Sequence, residues 1–223
     1  MLYHLLLPLT GSTFAFNVVR YISFRAAAAM ATALLLCLVL YPPFIRWLRL
    51  KKYGQEVRDD GPQTHLKKAG TPTMGGLLII AAITVSTLLW ARLDEPRVWM
   101  VLAVGVGFTG IGFFDDWSKI ARKNTKGVPG RVRLALEFVL AGLVVYAGVR
   151  WFGVETSLPI PFVKGLSLQL GWLYVVFGAF LIAGTANAVN LTDGLDGLAI
   201  GPVMTSALTF GVLAYLAGNF KFA

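Results

Sequence analysis

Residues 170–197 read LGWLYVVFGAFLIAGTANAVNLTDGLDG. The first part is an almost uninterrupted apolar run of about twenty residues, the length that a helix needs to cross a bilayer. Polar side chains then return at every third position, as Asn187, Asn190, Asp193 and Asp196. Because residues three apart share one face of a helix, two amides and two carboxylates form a stripe at the membrane boundary. Polar groups are costly there, so the stripe indicates a functional site.

The composition extends this reading to the whole chain. Hydrophobic residues make up 57% of the 223 residues and charged residues only 14%, whereas soluble domains carry about 25% charged residues. We therefore predict an all-α, polytopic integral membrane protein that forms a single domain over residues 1–223. The apolar runs are continuous rather than alternating, which favours helices over a β-barrel. They predict six transmembrane helices, of which the third and fourth are short, at about 25–45, 72–91, 98–114, 134–150, 170–189 and 198–218.

The distribution of charge predicts the orientation. A net charge of +9 could indicate nucleic-acid binding, but the basic residues lie in short loops between apolar runs, which is typical of membrane topology. Thirteen of the 20 Lys and Arg residues follow the first and third spans, as Arg46, Arg49, Lys51, Lys52, Arg58, Lys67, Lys68, Lys119, Arg122, Lys123, Lys126, Arg131 and Arg133. The positive-inside rule makes those loops cytoplasmic. Parity then places the 190–197 connection on the same side and the N-terminus outside, and no nucleic-acid partner is expected.

A second acidic cluster, Asp115-Asp116, follows the third apolar run. If the helix continues, Lys119 and Lys123 lie on the same face, one and two turns further on. Adjacent carboxylates repel each other unless a cation neutralises them, and Mg²⁺ binds carboxylate and phosphate oxygens together. We interpret the cluster as a metal site beside a basic stripe suited to a diphosphate. The alternative is a pair of helix-end charges solvated at the interface.

Other motifs admit structural explanations. Asp193 or Asp196 could cap the sixth helix, which leaves Asn187 and Asn190 unexplained, and we expect both amides to bind substrate. In the segment 67–76, Lys68 could contact a phosphate, while Thr71 or Thr73 could cap the second span. Glu137 could pair with Arg133 one turn earlier. Residues 105–110 match the dinucleotide pattern G-x-G-x-x-G but lie within an apolar span, so with Gly112 they indicate helix packing instead.

Four motifs together carry a family resemblance. They are Asp-Gly-Pro-Gln-Thr-His at 60–65, Gly-Thr-Pro-Thr-Met-Gly-Gly at 70–76, Phe-Phe-Asp-Asp at 113–116 and Asn-Ala-Val-Asn-Leu-Thr-Asp-Gly-Leu-Asp-Gly at 187–197. In this order they resemble the phospho-N-acetylmuramoyl-pentapeptide transferases, the MraY family, within the polyprenyl-phosphate N-acetylhexosamine-1-phosphate transferases. The resemblance runs from about residue 17 to the end.

The resemblance implies a reaction and its site. Members transfer phospho-MurNAc-pentapeptide from its UDP carrier to undecaprenyl phosphate, which gives lipid I and UMP, with Mg²⁺ as the cofactor. Asp115 matches a base or nucleophile, Asp116 its acidic partner near the metal, and Asn190 and Asp193 active-site polar positions. The implied uridine pocket comprises Gly194, Leu195 and Asp196. The implied nucleotide or phosphate contacts are Lys68, Thr73, Lys119 and Lys123.

The resemblance also sets expectations for the whole protein. It implies peptidoglycan synthesis at the bacterial inner membrane, with a cytoplasmic active site, membrane lipids as neighbours and a homodimer. The family has ten spans, a histidine-rich loop and a Met-Gly-Asp-x-Gly-Ser segment whose carboxylate is a further Mg²⁺ ligand. Residues 1–223 hold six spans and two histidines, so we expect this further ligand to lie beyond Ala223. We also expect residues 1–223 alone to be C-terminally incomplete and inactive.

Three alternatives remain at this point. The first is a related transferase that uses a UDP-N-acetylhexosamine. The second is a transporter or channel subunit, since intramembrane polar residues and glycine-broken helices are also found there. A transporter predicts acidic groups near mid-bilayer, whereas here they cluster at one face. The third is a non-catalytic membrane scaffold.

Overall fold

The computed structural model describes residues 1–11, 14–51, 73–122, 127–160, 163, 165–193 and 197–218. Short turns of 3₁₀-helix at Pro8–Gly11 and Phe14–Arg20 follow the first α-helix. The α-helices are α1 (Leu2–Leu6), α2 (Ile22–Leu50), α3 (Gly76–Trp90), α4 (Pro96–Arg122), α5 (Gly130–Trp151), α6 (Leu173–Thr192) and α7 (Ile200–Ala217). The all-α prediction is confirmed.

Each predicted span corresponds to one helix, α2 to α7. Within the described ranges, five of the helices are long and apolar enough to cross a membrane, namely α2, α4, α5, α6 and α7. The exception is α3, whose 15 residues extend only about 22 Å at 1.5 Å per residue. The protein is thus a multi-pass membrane protein with one short apolar helix.

The third and fourth predicted spans, both short, are the apolar parts of longer helices. α4 has 27 residues and α5 has 22, because both helices continue into polar sequence. Lys119 forms ion pairs with Asp115 and Asp116, which lie four and three residues earlier, and Arg133 pairs with Glu137. Such pairs support a helix beyond its apolar part.

From α2 to α6, consecutive helices run antiparallel and give the bundle two distinct ends. The start of α3, the end of α4, the start of α5 and the end of α6 lie together; we call this the polar end. At the opposite end, the amino group of Met1 donates to the Leu88 carbonyl in the last turn of α3. His4 accepts the Leu93 N–H there. The expectation that the N-terminus and the acidic clusters lie at different ends therefore agrees with the fold.

The α3–α4 connection at the opposite end carries a local ion pair. Arg92 Nη2 lies 2.6 Å from Asp94 Oδ2, and this hydrogen bond lowers the pKa of the Asp94 carboxyl.

The α5–α6 connection forms a short antiparallel hairpin of Ser157–Pro159 (β1) and Ser167–Gln169 (β2). The sequence did not predict this hairpin, since two three-residue strands are too short to show a periodic pattern.

Small residues let the helices approach closely. Ala141 in α5 and Ala183 in α6 are fully buried, and α5 packs against both α4 and α6. Of the glycines in the G-x-G-x-x-G pattern, Gly107 lies against the Leu140 side chain, whereas a Cβ at Gly105 or Gly110 would meet open space. The packing interpretation therefore holds for Gly107.

Candidate functional site

A cavity of about 380 Å³ lies at the polar end of the bundle. Its walls come from four helices and from the Met74-Gly75 segment that precedes α3. Its polar lining consists of Thr109, Asp115, Asp116, Lys119, Arg133 and Asn190. The cavity thus joins the Asp-Asp cluster to the asparagine stripe, although about seventy residues separate the two along the chain.

Asp115 is buried, with 7% of its surface exposed, and both of its oxygens have partners. Lys119 Nζ lies 2.6 Å from Oδ2, and the Val128 N–H donates to Oδ1 at 2.8 Å. A charge-assisted bond and a backbone bond together fix the orientation of the carboxylate. Asp115 is therefore a preorganised anion at the cavity wall.

Asp116 is half-buried and shares Lys119 with Asp115, but its second partner is different. The Thr73 hydroxyl donates to Oδ2 at 3.2 Å, and Lys119 Nζ donates to Oδ1 at the same distance. The prediction that Thr73 caps the second span is wrong, since Gly75 is the N-cap of α3 and no side chain caps it. Thr73 instead links the segment before α3 to the acidic pair on α4.

The single ammonium of Lys119 bridges both carboxylates. It reduces the repulsion between two adjacent anions, but one positive charge does not balance two negative ones. The pair therefore keeps net negative charge while Lys119 and Arg133 place two cations on the same cavity. Such a mixture of charges suits a ligand that brings both phosphate and a metal ion.

Gly127 lets the main chain approach Asp115. A Cβ at this position would meet the Asp115 carboxylate and would lie 2.7 Å from Lys119 Cε. Only a residue without a side chain leaves room for the next residue, Val128, to donate its N–H to Asp115. Sequence reasoning missed Gly127, because its requirement arises from a contact with a distant helix.

Asn187 lies one turn before Asn190 on α6 and is already engaged. Its amide nitrogen donates to Glu137 Oε2 and to the Ala183 carbonyl at 2.9 Å. Its carbonyl oxygen accepts from Arg133 Nη2 at 3.3 Å. The expected Arg133–Glu137 pair is present, with Nε 3.5 Å from Oε1. Sequence reasoning found this pair but not its connection to Asn187 or to the cavity.

The end of the polar stripe is only partly described. Asp193 is exposed and follows the last residue of α6. The N-cap of α7 is Ala199, and no side chain caps that helix, so the alternative in which Asp193 or Asp196 caps it does not hold. Five predicted site residues lie outside the described part of the chain, namely Lys68, Lys123, Gly194, Leu195 and Asp196.

The predicted metal ligands divide into two groups. Asp115 and Asp116 are described and lie on the cavity. Ala223, beyond which the further Mg²⁺ carboxylate is expected, lies outside the described residues. The structure therefore brings two of the predicted ligands to one cavity, and the metal-binding role of all three stays a prediction.

The donors at the cavity fit a hard cation. Asp115 and Asp116 supply carboxylate oxygens, and Mg²⁺ is commonly held by one or two carboxylates together with water and substrate phosphate. Within the described residues there is no cluster of three or more His, Cys, Asp or Glu side chains. The residues present are thus suited to a cation that a phosphorylated ligand helps to hold, rather than to a closed protein cage.

The helical bundle is that of an integral membrane protein, and a polar cavity with charged side chains lies at one of its ends. Residues 98–223 match the sequence profile of Glycosyl transferase family 4. The match covers more than half of the chain, and the chain belongs to this family. Residues 68–80 also match signature 1 of the phospho-N-acetylmuramoyl-pentapeptide-transferases, which confirms the resemblance to the MraY family.

Curated relatives carry the same name. A phospho-N-acetylmuramoyl-pentapeptide-transferase of Syntrophus aciditrophicus is 54% identical over the whole chain, which covers 62% of that relative. The transferase of Rhodopseudomonas palustris is 50% identical, again over the whole chain and 62% of the relative. That of Desulfotalea psychrophila is 50% identical over 98% of the chain and 61% of the relative. The chain thus spans about three fifths of the length of these relatives.

Proposed function

We propose that this protein transfers phospho-MurNAc-pentapeptide from UDP-MurNAc-pentapeptide to undecaprenyl phosphate, with lipid I and UMP as products. The observation that carries the proposal is the cavity at the polar end, where Asp115, Asp116, Lys119, Arg133 and Asn190 meet. Both substrates are anionic phosphates, so a site for them needs cations. Its position at the end of the bundle suits a water-soluble nucleotide that meets a lipid phosphate at the interface.

The proposed chemistry is a phosphoryl transfer. A phosphate oxygen of the lipid bonds to the phosphorus that carries the sugar, and the bond from that phosphorus to the UMP oxygen breaks. We assign Asp115 the role of accepting the proton of the attacking lipid phosphate, because it is the buried and doubly held carboxylate of the pair. Lys119 and Arg133 would hold phosphate oxygens, which lowers the cost of bringing two anions together.

The proposed cofactor is Mg²⁺, held by Asp115 and Asp116 and by the further carboxylate expected beyond Ala223. The ion would neutralise charge on the phosphates during transfer. The remaining net negative charge of the Asp115–Asp116–Lys119 cluster supports this assignment. Thr73 supports it too, since its hydroxyl orients the Asp116 carboxylate.

Nucleotide recognition is proposed for the segment that follows α6. Asn190 lies on the cavity, and Asp193 follows one turn later. Gly197 has a φ of +82°, a backbone conformation that favours glycine, and it lies in the turn that precedes α7. We propose that Gly194, Leu195 and Asp196 complete a uridine pocket here, and that Lys68 and Lys123 contact phosphate.

The proposed setting is the bacterial inner membrane, with the polar end in the cytoplasm and the N-terminus outside. The basic residues near the polar end support this orientation through the positive-inside rule. The partners are the two substrates and the surrounding lipids, and the protein acts as a homodimer. Its product feeds cell-wall synthesis, and thereby cell shape and division.

A transfer assay tests the proposal. Protein from the full reading frame, in detergent, would receive radiolabelled UDP-MurNAc-pentapeptide, undecaprenyl phosphate and Mg²⁺. Lipid-linked label and released UMP are expected in equal amounts, with loss of both on chelation. Lipid product from UDP-N-acetylglucosamine alone would instead identify a related transferase. The absence of UMP release from either donor would overturn the transferase proposal. The same assay on residues 1–223 tests whether this portion is inactive alone.

A further inference from the structure

A buried carboxylate lies directly behind the cavity. Glu137 is only 8% exposed, on the second turn of α5, a helix that is long and apolar enough to cross a membrane. A carboxylate is expensive to bury at this depth unless it is paired and hydrogen-bonded. Its partners therefore indicate what the group does for the molecule.

Both partners of Glu137 lie at or next to the cavity. Arg133, whose Nε contacts Oε1, is itself a lining residue. Asn187, whose amide contacts Oε2, precedes the lining residue Asn190 by one turn of α6. The side-chain carbonyl of Asn187 also accepts a hydrogen bond from Arg133, so the three side chains all contact one another. Glu137 and Asn187 thus both contact the Nε–Nη2 edge of the Arg133 guanidinium group.

The two contacts constrain Arg133 in a specific way. They use Nε and Nη2 and leave the Nη1 group for a further acceptor. Without the contacts from Glu137 and Asn187, electrostatic attraction would draw the guanidinium towards Asp115 and Asp116, the two carboxylates on the same cavity. An Arg133 paired with them would compete with Lys119 and with a metal ion. Glu137 and Asn187 thus keep the Arg133 guanidinium apart from Asp115 and Asp116.

We propose that Glu137 is a positioning residue that, together with Asn187, fixes the guanidinium of Arg133 at the cavity wall for a substrate phosphate. The proposal rests on the function proposed above and adds a device for placing one of its cations. The ligand chemistry is a phosphate oxyanion of the nucleotide donor, which the planar guanidinium can bind with directed N–H groups. Asn187 then acts through Arg133 rather than by touching the substrate.

The test uses protein from the full reading frame and the Glu137→Gln variant, which keeps the volume of the side chain and removes its charge. The KM for UDP-MurNAc-pentapeptide should rise about 10-fold or more, the usual scale for loss of a group that orients a ligand-binding residue. The matched control is Glu155→Gln, the same change at a carboxylate at the opposite end of the bundle, which should leave KM and kcat unchanged. Thermal unfolding in detergent is measured for both.

A double-mutant cycle separates positioning from structural support. Arg133→Lys keeps the positive charge but removes the planar guanidinium and its directed N–H donors. It should therefore also raise the KM for UDP-MurNAc-pentapeptide. If Glu137 acts through Arg133, the Glu137→Gln/Arg133→Lys double variant should be little worse than Arg133→Lys alone. Additive losses would overturn the proposal, and so would a lower melting temperature with unchanged KM and kcat. A wild-type protein without transfer activity would refute the proposed function instead, so the two failures are distinguishable.

Discussion

At the scale of single residues, the site is organised around one carboxylate. Asp115 lies between the ammonium of Lys119 and the backbone N–H of Val128, so its orientation is set before any ligand binds. Asp116, one residue later, shares Lys119 but has Thr73 as its second partner. Adjacent residues on a helix point about 100° apart, which explains why the second partners of two neighbouring aspartates differ and, in our proposal, so do their roles.

Asp115→Asn should remove most turnover while the protein still inserts and folds. The amide cannot accept the proton as the carboxylate does, and positioned acid–base groups contribute about 10² to 10⁴-fold. Lipid I formation by purified protein measures the loss. Asp94→Asn is the control, because Asp94 is a half-exposed carboxylate at the opposite end of the bundle. Wild-type turnover in Asp115→Asn would refute the assigned role.

Gly127→Ala should also lower turnover, although the residue carries no chemistry of its own. The added methyl group would displace the Asp115 carboxylate or the Lys119 side chain. A shift of about 1 Å in such a group can cost 100-fold in rate. Gly130→Ala provides the matched control, since a Cβ there meets open space. Equal activity of the two variants would show that the contact with Asp115 is dispensable.

At the scale of helices, α5 and α6 form a closely packed pair that reaches the site. Gly178 in α6 faces Val145 in α5, and a Cβ at Gly178 would lie 3.0 Å from both Val145 methyl groups. Valine on a helix is restricted to essentially one rotamer, so these methyl groups cannot turn away. The separation of the two helices therefore depends on the absence of a side chain at position 178.

Gly178→Ala should destabilise the protein by about 1–3 kcal/mol, the usual cost of overpacking a close contact. Gly184→Ala is the matched control, because Gly184 lies on the same helix and a Cβ there meets nothing within 4 Å. Both changes alter helix propensity equally, so their difference isolates the packing effect. Reversible unfolding in mixed detergent measures it. Equal stability of the two variants would mean that α5 and α6 separate without cost.

At the scale of the whole molecule, the fold separates two chemically different ends. The polar end holds the cavity, and the opposite end holds the N-terminus and the β1–β2 hairpin. We propose that the polar end faces the cytoplasm. The same alternation of helices makes a two-sided transport path a poor explanation, since the described acidic residues of the cavity lie at one end rather than in the middle of the bundle.

Cysteine labelling tests this orientation. In a Cys37→Ser background, Asp193→Cys at the polar end should react with a membrane-impermeant maleimide only after the membrane has been permeabilised. Glu155→Cys at the opposite end should react in intact spheroplasts. Both positions are exposed, so accessibility to water does not distinguish them. Reaction of both cysteines from the same side would contradict the antiparallel arrangement.

Sequence reasoning located every long helix, because apolar runs of membrane length are a strong local signal. It also placed Asp115, Asp116, Lys119 and Asn190 near one membrane surface, and the cavity now joins them. The apolar runs did not show where α4 ends and α5 begins, since polar residues there continue as helix through ion pairs. The small residues that bring helices together could not be ranked from sequence, since only Gly107 of the glycine-rich pattern was found to pack.

The amino-acid sequence by itself determined the membrane class, the order of the long helices, and the chemical types present at the polar end. These depend on composition and short periodicities, which are properties of neighbouring residues. Only the tertiary structure decided that Gly127 must lack a side chain, that Thr73 serves Asp116, and that Glu137 and Asn187 hold Arg133. Each of these depends on atoms from distant parts of the chain meeting within a few ångströms, and no local pattern encodes such distances.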